Sequence, residues 1–290
     1  MEAKVLSGKE IATQIRAELA ADIAKIKSEN PSCVLPGLAV IQVGENPASS
    51  IYVKRKIKAC EEVGVVSFEH RLETNVSQEA LLELIDTLNA DSRVHGILCQ
   101  FPLPAHIDEF AVLCKIAPEK DADGFHPVNK GLLSCGMPCL CACTPMGCLE
   151  ILKRSNIPIA GKAAVVIGRS DIVGKPVAAL LLAENATVTI THSKTENLAE
   201  VCSKADILIA AIGREGFVTD SFVKPGATVI DVGINRTAEG KVRGDVDFEL
   251  VSKIAGAITP VPGGVGPMTI AMLLKNTFTS YLRTCENERN

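Results

Sequence analysis

Tyr52 and Lys56 stand four residues apart in a segment, SIYVKRKIKA, that reads as a helix, so the phenol and the amine share one face. A phenol and an amine lining a cleft can share a proton network and do general acid–base work. The same segment holds Lys54, Arg55 and Lys58, and a solvated basic face accounts for it without chemistry. Spacing alone favours that solvated face. Gln100 closes the apolar run GILCQ just before Phe101 and Pro102. Ligands in open α/β sheets bind at the carboxyl ends of strands, which makes Gln100 a second candidate. Asp121 and Asp123 in KDADGFHP put two carboxylates beside a glycine. They read as a metal site or as a turn, where Asp side chains accept local N–H groups. The stretch TPVPGGVGPMT (259–269) is rich in Gly and Pro. It would let backbone approach a flat ligand closely, or serve as a rigid connector.

A phosphate-type loop is the next candidate. In VVIGRSDIVGKP, Gly168 ends a strand and Gly174 opens a helix. Backbone N–H groups at a helix start attract phosphate, although the spacing is not G-x-G-x-x-G and an ordinary βα turn also fits. The following strand ends in His192, Ser193, Lys194 and Thr195. NAD enzymes carry an acidic residue about 20 residues on, for the ribose hydroxyls, and none stands here. Arg169 with Ser193 and Lys194 suits the 2′-phosphate of NADP, and the alternative is that the two cations are solvated.

The elements that must position these residues alternate. Ile11, Ile15, Leu19, Ile23 and Ile26 predict a helix, with Ser7 as its N-cap and an end near Asn30. A buried strand (38–44), a helix (49–63, stopped by Gly64), a strand (67–72), a helix with a capping-box start (77–91) and a strand (96–100) follow. The second half repeats the alternation: strand 163–168, helix 173–184, strand 186–192, helix 196–205, and strands 206–213 and 228–233. Short, continuous, β-branched strands indicate parallel sheets covered on both faces. The expected fold class is α/β with two domains, residues 1–145 and 146–267. A last helix from 268 packs back on the first.

The chain has 290 residues, and 47 % are hydrophobic, a globular value that excludes disorder. A net charge of −4 and 3 % aromatics argue against a nucleic-acid partner. No apolar run approaches a membrane span, and the charged start MEAKVLSGKE is neither a secretory signal nor a transit peptide. A cytoplasmic protein is expected. The eleven cysteines are odd in number and several sit in apolar runs, so free thiols are the plain reading. Cys135, Cys139, Cys141, Cys143 and Cys148 cluster as zinc thiolates can, but no C-x-x-C knuckle appears and no metal is expected.

Taken in order, VGENPASSIYVKRKIKACEEVG, GILCQFPLP, PEKDADGF, CTPMG, GRSDIVGKP, THSKT and TPVPGGVGPMT resemble one family. It is the bifunctional methylenetetrahydrofolate dehydrogenase/methenyltetrahydrofolate cyclohydrolase family, matched over nearly the whole chain. The resemblance implies two α/β domains flanking a cleft, the second a Rossmann-type NADP-binding domain, and a homodimer joined through the nucleotide domains. It implies NADP as cofactor and a folate as substrate: oxidation of methylenetetrahydrofolate, then hydrolysis to formyltetrahydrofolate. By position it makes Lys56 the catalytic lysine, Tyr52 its partner against the folate ring, and Gln100 the glutamine bonded to the lysine. Asp123 reads the pterin, and Pro262, Gly263, Gly264, Val265 and Gly266 form the folate-side loop. Gly168, Arg169, Ser170, Ser193 and Ile234 match the NADP contacts. Two rival functions are a dehydrogenase without the cyclohydrolase step and a non-catalytic nucleotide-binding module. The sequence departs from the family at Ala142, where a proline usually precedes the cysteine.

Overall fold

The computed structural model describes residues 2–237 and 240–287. A two-residue strand, β1 (Lys4–Val5), leads into α1 (Gly8–Glu29). Ser7 caps it, its Oγ accepting the Glu10 N–H at 3.3 Å, and Ile11, Ile15, Leu19 and Ile23 are buried at helical spacing. Next come β2 (Gly37–Val43), α2 (Pro47–Val63), β3 (Val66–Leu72), α3 (Gln78–Ala90) and β4 (Gly96–Cys99). Gly64 ends α2 with φ at 86°, a conformation that suits glycine, and its N–H returns to the Cys60 carbonyl. The start of α3 corrects one expectation. Ser77 Oγ accepts the Ala80 N–H at 3.2 Å, but the position that would complete a capping box is Ala80, which has no side chain to reach back.

Three helices then occupy a stretch the sequence leaves unassigned: α4 (Glu109–Lys115), α5 (Pro127–Ser134) and α6 (Cys143–Arg154). Side chains start the first two. Asp108 Oδ1 accepts the N–H groups of Phe110 and Ala111, and His126 Nδ1 accepts that of Val128. The chain continues through β5 (Ala163–Ile167), α7 (Gly174–Ala183), β6 (Thr187–Thr191), α8 (Leu198–Cys202), β7 (Ile207–Ala210) and β8 (Thr228–Asp231). A small hairpin, β9 (Asn235–Arg236) with β10 (Val242–Arg243), precedes α9 (Phe248–Val251), β11 (Ala257–Ile258) and α10 (Val265–Asn287).

The residues form two compact units, and the division falls inside α1 and α10. One unit comprises Gln14–Cys141 and the chain from Leu273. Its sheet is parallel, in the order β3-β2-β4, and all seven residues of β2 are buried, as a central parallel strand requires. Ile41, Ile97, Leu81, Ile85 and Val112 lead its core. Leu38 to Ile41 pair with Gly96 to Cys99, and the Gln100 N–H extends the ladder to the Ile41 carbonyl at 2.8 Å. Continuing that register sets Gln42 beside Gln100 at the carboxyl edge.

The other unit comprises the chain to Thr13 and Ala142–Met272. Its six strands run parallel in the order β1-β11-β8-β7-β5-β6. The first residues belong here because β1 pairs with β11. Val165, Ile167, Leu208, Val229 and Ile258 form the centre of its core. Strand β5 has β6 on one side and β7 on the other, so the chain reverses its course across the sheet at that point. The crevice at the carboxyl ends of such a strand pair is where doubly wound sheets bind ligands.

Candidate functional site

The basic run on α2 divides by burial. Lys54, Arg55 and Lys58 are exposed, while Lys56 is only 9 % exposed. Val53, Ala59, Cys60 and Val63 fix this rotation of the helix by burying their side chains. The solvated-face account therefore fits its neighbours and fails for Lys56. Its Nζ donates to Gln100 Oε1 at 3.0 Å. Gln100 Nε2 in turn donates to the Phe101 carbonyl at 2.8 Å, which orients the amide oxygen toward the lysine. Tyr52 lies one turn earlier and is 39 % exposed.

Asp123 is half-buried and feels the Lys56 charge. Burial pushes its carboxyl up to about 6, with Asp121 adding to the rise and the Lys56 ammonium opposing it. Asp121 is a turn residue. Its Oδ1 accepts the Gly124 N–H at 3.1 Å, and its Oδ2 accepts the His126 N–H at 2.7 Å and Asn129 Nδ2 at 2.9 Å. Asn276 Nδ2 donates to the Ala122 carbonyl at 2.9 Å, so the residue between the two aspartates is also held. Among the described residues, no group of three or more His, Cys, Asp and Glu side chains is arranged to hold a metal ion.

Gln42 is a member of this cluster that the sequence reading missed. Its Nε2 donates to Ser50 Oγ at 2.8 Å and to the Gly44 carbonyl at 3.1 Å. Its Oε1 is buried without a hydrogen-bond partner. The two glutamines at the sheet edge thus each bond a side chain of α2. The available signal is a lone polar residue near the carboxyl end of the apolar run LAVIQVG.

The other unit carries the remaining candidates. Gly168 follows β5 with φ at 117°, and a Cβ there would collide with the Ala211 carbonyl oxygen beyond β7. A Cβ on Gly174 would collide with the Gly168 carbonyl in the same way. Backbone thus packs on backbone at the crevice, and only glycine permits it. Ser170 Oγ accepts the N–H groups of Val173 and Gly174 at 3.2 and 3.3 Å, which steadies the start of α7. Arg169, Ser193 and Lys194 are exposed, and no acidic residue stands at 191–195. Ile234 is 53 % exposed just beyond β8. In the loop 262–266, Gly263 has φ at 105° and its carbonyl accepts the Lys9 N–H at 2.9 Å. Pro262 and Gly266 are exposed, Gly264 is buried, and the Val265 side chain lies in the core.

Two buried aspartates set the shape of this crevice, and nothing local in the sequence marks them. Asp231 Oδ1 accepts the N–H groups of Gly233 and Asp245, both at 2.9 Å, and its Oδ2 accepts that of Val246 at 3.0 Å. Burial still pushes its carboxyl up to about 6. Asp245 Oδ2 accepts the N–H groups of Ile212 and Gly213 at 2.7 and 2.9 Å. Its Oδ1 accepts the Arg214 N–H at 2.8 Å and Asn235 Nδ2 at 2.9 Å. The pair ties the segments after β7 and β8 together, on either side of Ile234. Asp245→Ala leaves four donors without their acceptor. The donors are only part-buried, and a hydrogen bond to a charged acceptor contributes about 1 kcal/mol or more at such a position, so a loss of roughly 3 kcal/mol is expected in urea unfolding. An unchanged midpoint would show that the carboxylate does not hold the loops. A cavity of about 270 Å³ lined by Lys162, Asp206, Lys224 and Thr228 lies at the amino ends of β5, β7 and β8, the edge opposite Gly168.

Residues 6–123 match the family model of the tetrahydrofolate dehydrogenase/cyclohydrolase catalytic domain, and residues 142–285 match its NAD(P)-binding domain. The bifunctional protein FolD of Acetivibrio thermocellus is 58 % identical, over 96 % of each chain. The crystal structure of the bifunctional enzyme FolD from Campylobacter jejuni superposes with a TM-score of 0.94 at 49 % identity, covering 97 % of this chain and 99 % of that one. The Trypanosoma brucei methylenetetrahydrofolate dehydrogenase-cyclohydrolase, solved with NADP and an inhibitor, superposes with a TM-score of 0.92 at 42 % identity, covering 98 % and 99 %. The α/β units, the glycine crevice and the buried Lys56 therefore sit in a chain that belongs to the tetrahydrofolate dehydrogenase/cyclohydrolase family.

Proposed function

We propose that the chain oxidises methylenetetrahydrofolate to methenyltetrahydrofolate with NADP and hydrolyses that product to formyltetrahydrofolate. The observation that carries this reading is the burial of Lys56 within an otherwise solvated basic run, with its amine on Gln100. NADP, when bound, supplies the hydride acceptor. The protein's part is placement. The first N–H groups of α7 are taken by Ser170, so the exposed turn at Arg169 and Ser170 receives phosphate, and Arg169 and Ser193 suit the 2′-phosphate. The crevice left by Gly168 and Gly174 supports the fit, as does the lack of an acidic side chain at 191–195. Ile234 offers the cofactor an apolar surface, and residues 262–266 line the folate side. Asp123 accepts hydrogen bonds from the pterin amino and ring N–H groups, and Tyr52 packs against the ring. In the second reaction, water adds to the methenyl carbon while Lys56 Nζ takes its proton, and the ring opens. The substrate is then a cation, and like charges disfavour a second one beside it. Gln100 is a positioning residue that holds the amine in line.

Given methylenetetrahydrofolate and NADP, the protein is expected to reduce the nucleotide. Binding without reduction would make it a nucleotide-binding module instead. Arg169→Ala is expected to raise the KM for NADP far more than that for NAD, because only NADP carries the charge that Arg169 pairs with. Equal losses with both nucleotides would remove Arg169 from that role.

The same reading includes a homodimer joined through the nucleotide units. Leu182 and Ile190, 64 % and 41 % exposed on α7 and the edge strand β6, support it. Sedimentation equilibrium at twice the chain mass checks it. No helix among the described residues is long and apolar enough to cross a membrane. A cytoplasmic location completes the reading, supported by eleven free cysteines.

A further inference from the structure

Five cysteines fall between positions 135 and 148, and the proposed reactions use none of them. The structure separates them. Cys143 and Cys148 are buried in α6, and burial pushes the Cys148 thiol up to about 12. Cys135 is exposed at the end of α5. Cys139 and Cys141 differ from these. Both are half-buried in the loop before α6, and their Sγ atoms lie 3.5 Å apart. The hydrogen bond from Cys141 and the nearby Arg283 charge bring the Cys139 thiol down to about 7, against partial burial. A thiolate is the reactive form of cysteine, and the contact between the two sulfurs lets one resolve what the other forms; the lowered thiol and the nearby Arg283 charge assign the attack to Cys139.

We propose that Cys139 and Cys141 form a dithiol modification site that reacts with hydroperoxides and closes to a disulfide. The Cys139 thiolate attacks the distal oxygen of the hydroperoxide. The O–O bond breaks, the departing alkoxide or hydroxide takes a proton from solvent, and Cys139 becomes a sulfenic acid. Cys141 Sγ then attacks Cys139 Sγ, the S–O bond breaks, and hydroxide leaves as water with the Cys141 proton. The two thiols lose two electrons, and the hydroperoxide gains them. Closure brings the sulfurs from 3.5 Å to about 2.05 Å across a single intervening residue. That residue, Leu140, is anchored in the core at 1 % exposure. A dithiol reductant reverses the modification by thiol–disulfide exchange. The site also touches the rest of its unit. The Cys141 carbonyl accepts Asn276 Nδ2 at 2.8 Å, and the same amide group holds the Ala122 carbonyl beside Asp123.

The full-length protein is exposed to hydrogen peroxide, quenched with iodoacetamide, digested and mapped by mass spectrometry. Cys139 and Cys141 are expected to be unalkylated, with their peptide lighter by the two thiol hydrogens, while exposed Cys114 and Cys135 are still alkylated. Dithiothreitol should restore alkylation of both. In Cys141→Ser, dimedone should trap a sulfenic acid at Cys139. Full alkylation of both residues after peroxide would overturn the proposal, as would a sulfenic acid at Cys141 trapped in Cys139→Ser while Cys139 in Cys141→Ser stays unmodified. This mapping reads thiol chemistry alone, so it stands or fails independently of the folate assignment.

Discussion

Lys56→Met is expected to lower cyclohydrolase activity by about 10²–10⁴-fold, the usual contribution of a general base, while dehydrogenase activity stays measurable. The two reactions differ in what they ask of the protein. Hydride transfer needs two rings held in place, whereas adding water needs a group to take a proton. Lys56 Nζ, buried and bonded to Gln100 Oε1 at 3.0 Å, is the group the proposed function assigns to the second task. Methionine keeps the apolar stem and deletes only the amine, so α2 retains its packing through Val53, Ala59 and Cys60. Gln100 keeps its bond to the Phe101 carbonyl in the variant. Replacing Gln100 itself should act in the same direction more mildly, since it orients the base rather than moving the proton. Both activities are measured on one preparation of the variant. A parallel fall in the two would make Lys56 a binding residue.

Asp123→Ala should reduce both activities together and leave NADP affinity unchanged. Removing the carboxylate leaves two pterin donors unpaired, at about 1–3 kcal/mol each, so folate affinity should fall roughly 30-fold or more by isothermal titration. Unchanged folate binding would sink the assignment. The carboxyl also dictates a pH dependence. Burial raises it to about 6, so the neutral acid persists to that pH and the accepting carboxylate is lost as pH falls through it. Folate KM should therefore rise below about pH 6, and Asp123→Asn should abolish that dependence. Stability moves the other way: a carboxyl raised on folding favours the native state as pH falls toward the value of the unfolded chain.

How far the sequence led depends on how far each signal extends along it. Strands β2 and β5 were legible as short continuous apolar runs, and helices α1 and α3 because their apolar residues repeat at helical spacing over the whole element. Helices α4, α5 and α6 were not, since Pro, Gly and Cys interrupt 101–147, and the first two take their starts from Asp108 and His126, outside the helical pattern. Strands β1 and β11 are two residues long and exist through pairing with distant partners. The same limit governed the site. Tyr52 and Lys56 were visible as a pair, but spacing could not say which side of α2 faces water, and packing decided that for Lys56 alone. Asp231 and Asp245 work across 14 residues of chain, beyond any local pattern. Gln42 gains meaning only once β2 and β4 are in register. The motif resemblance placed Lys56, Gln100 and Asp123 together, and the structure gives them a shared environment.

The most direct test of two activities in one chain follows both products in a single reaction of the unmodified protein with methylenetetrahydrofolate and NADP. Reduced nucleotide and formyltetrahydrofolate should accumulate together, with methenyltetrahydrofolate consumed faster than its uncatalysed hydrolysis. Reduced nucleotide appearing while methenyltetrahydrofolate builds up and decays at the uncatalysed rate would contradict the account.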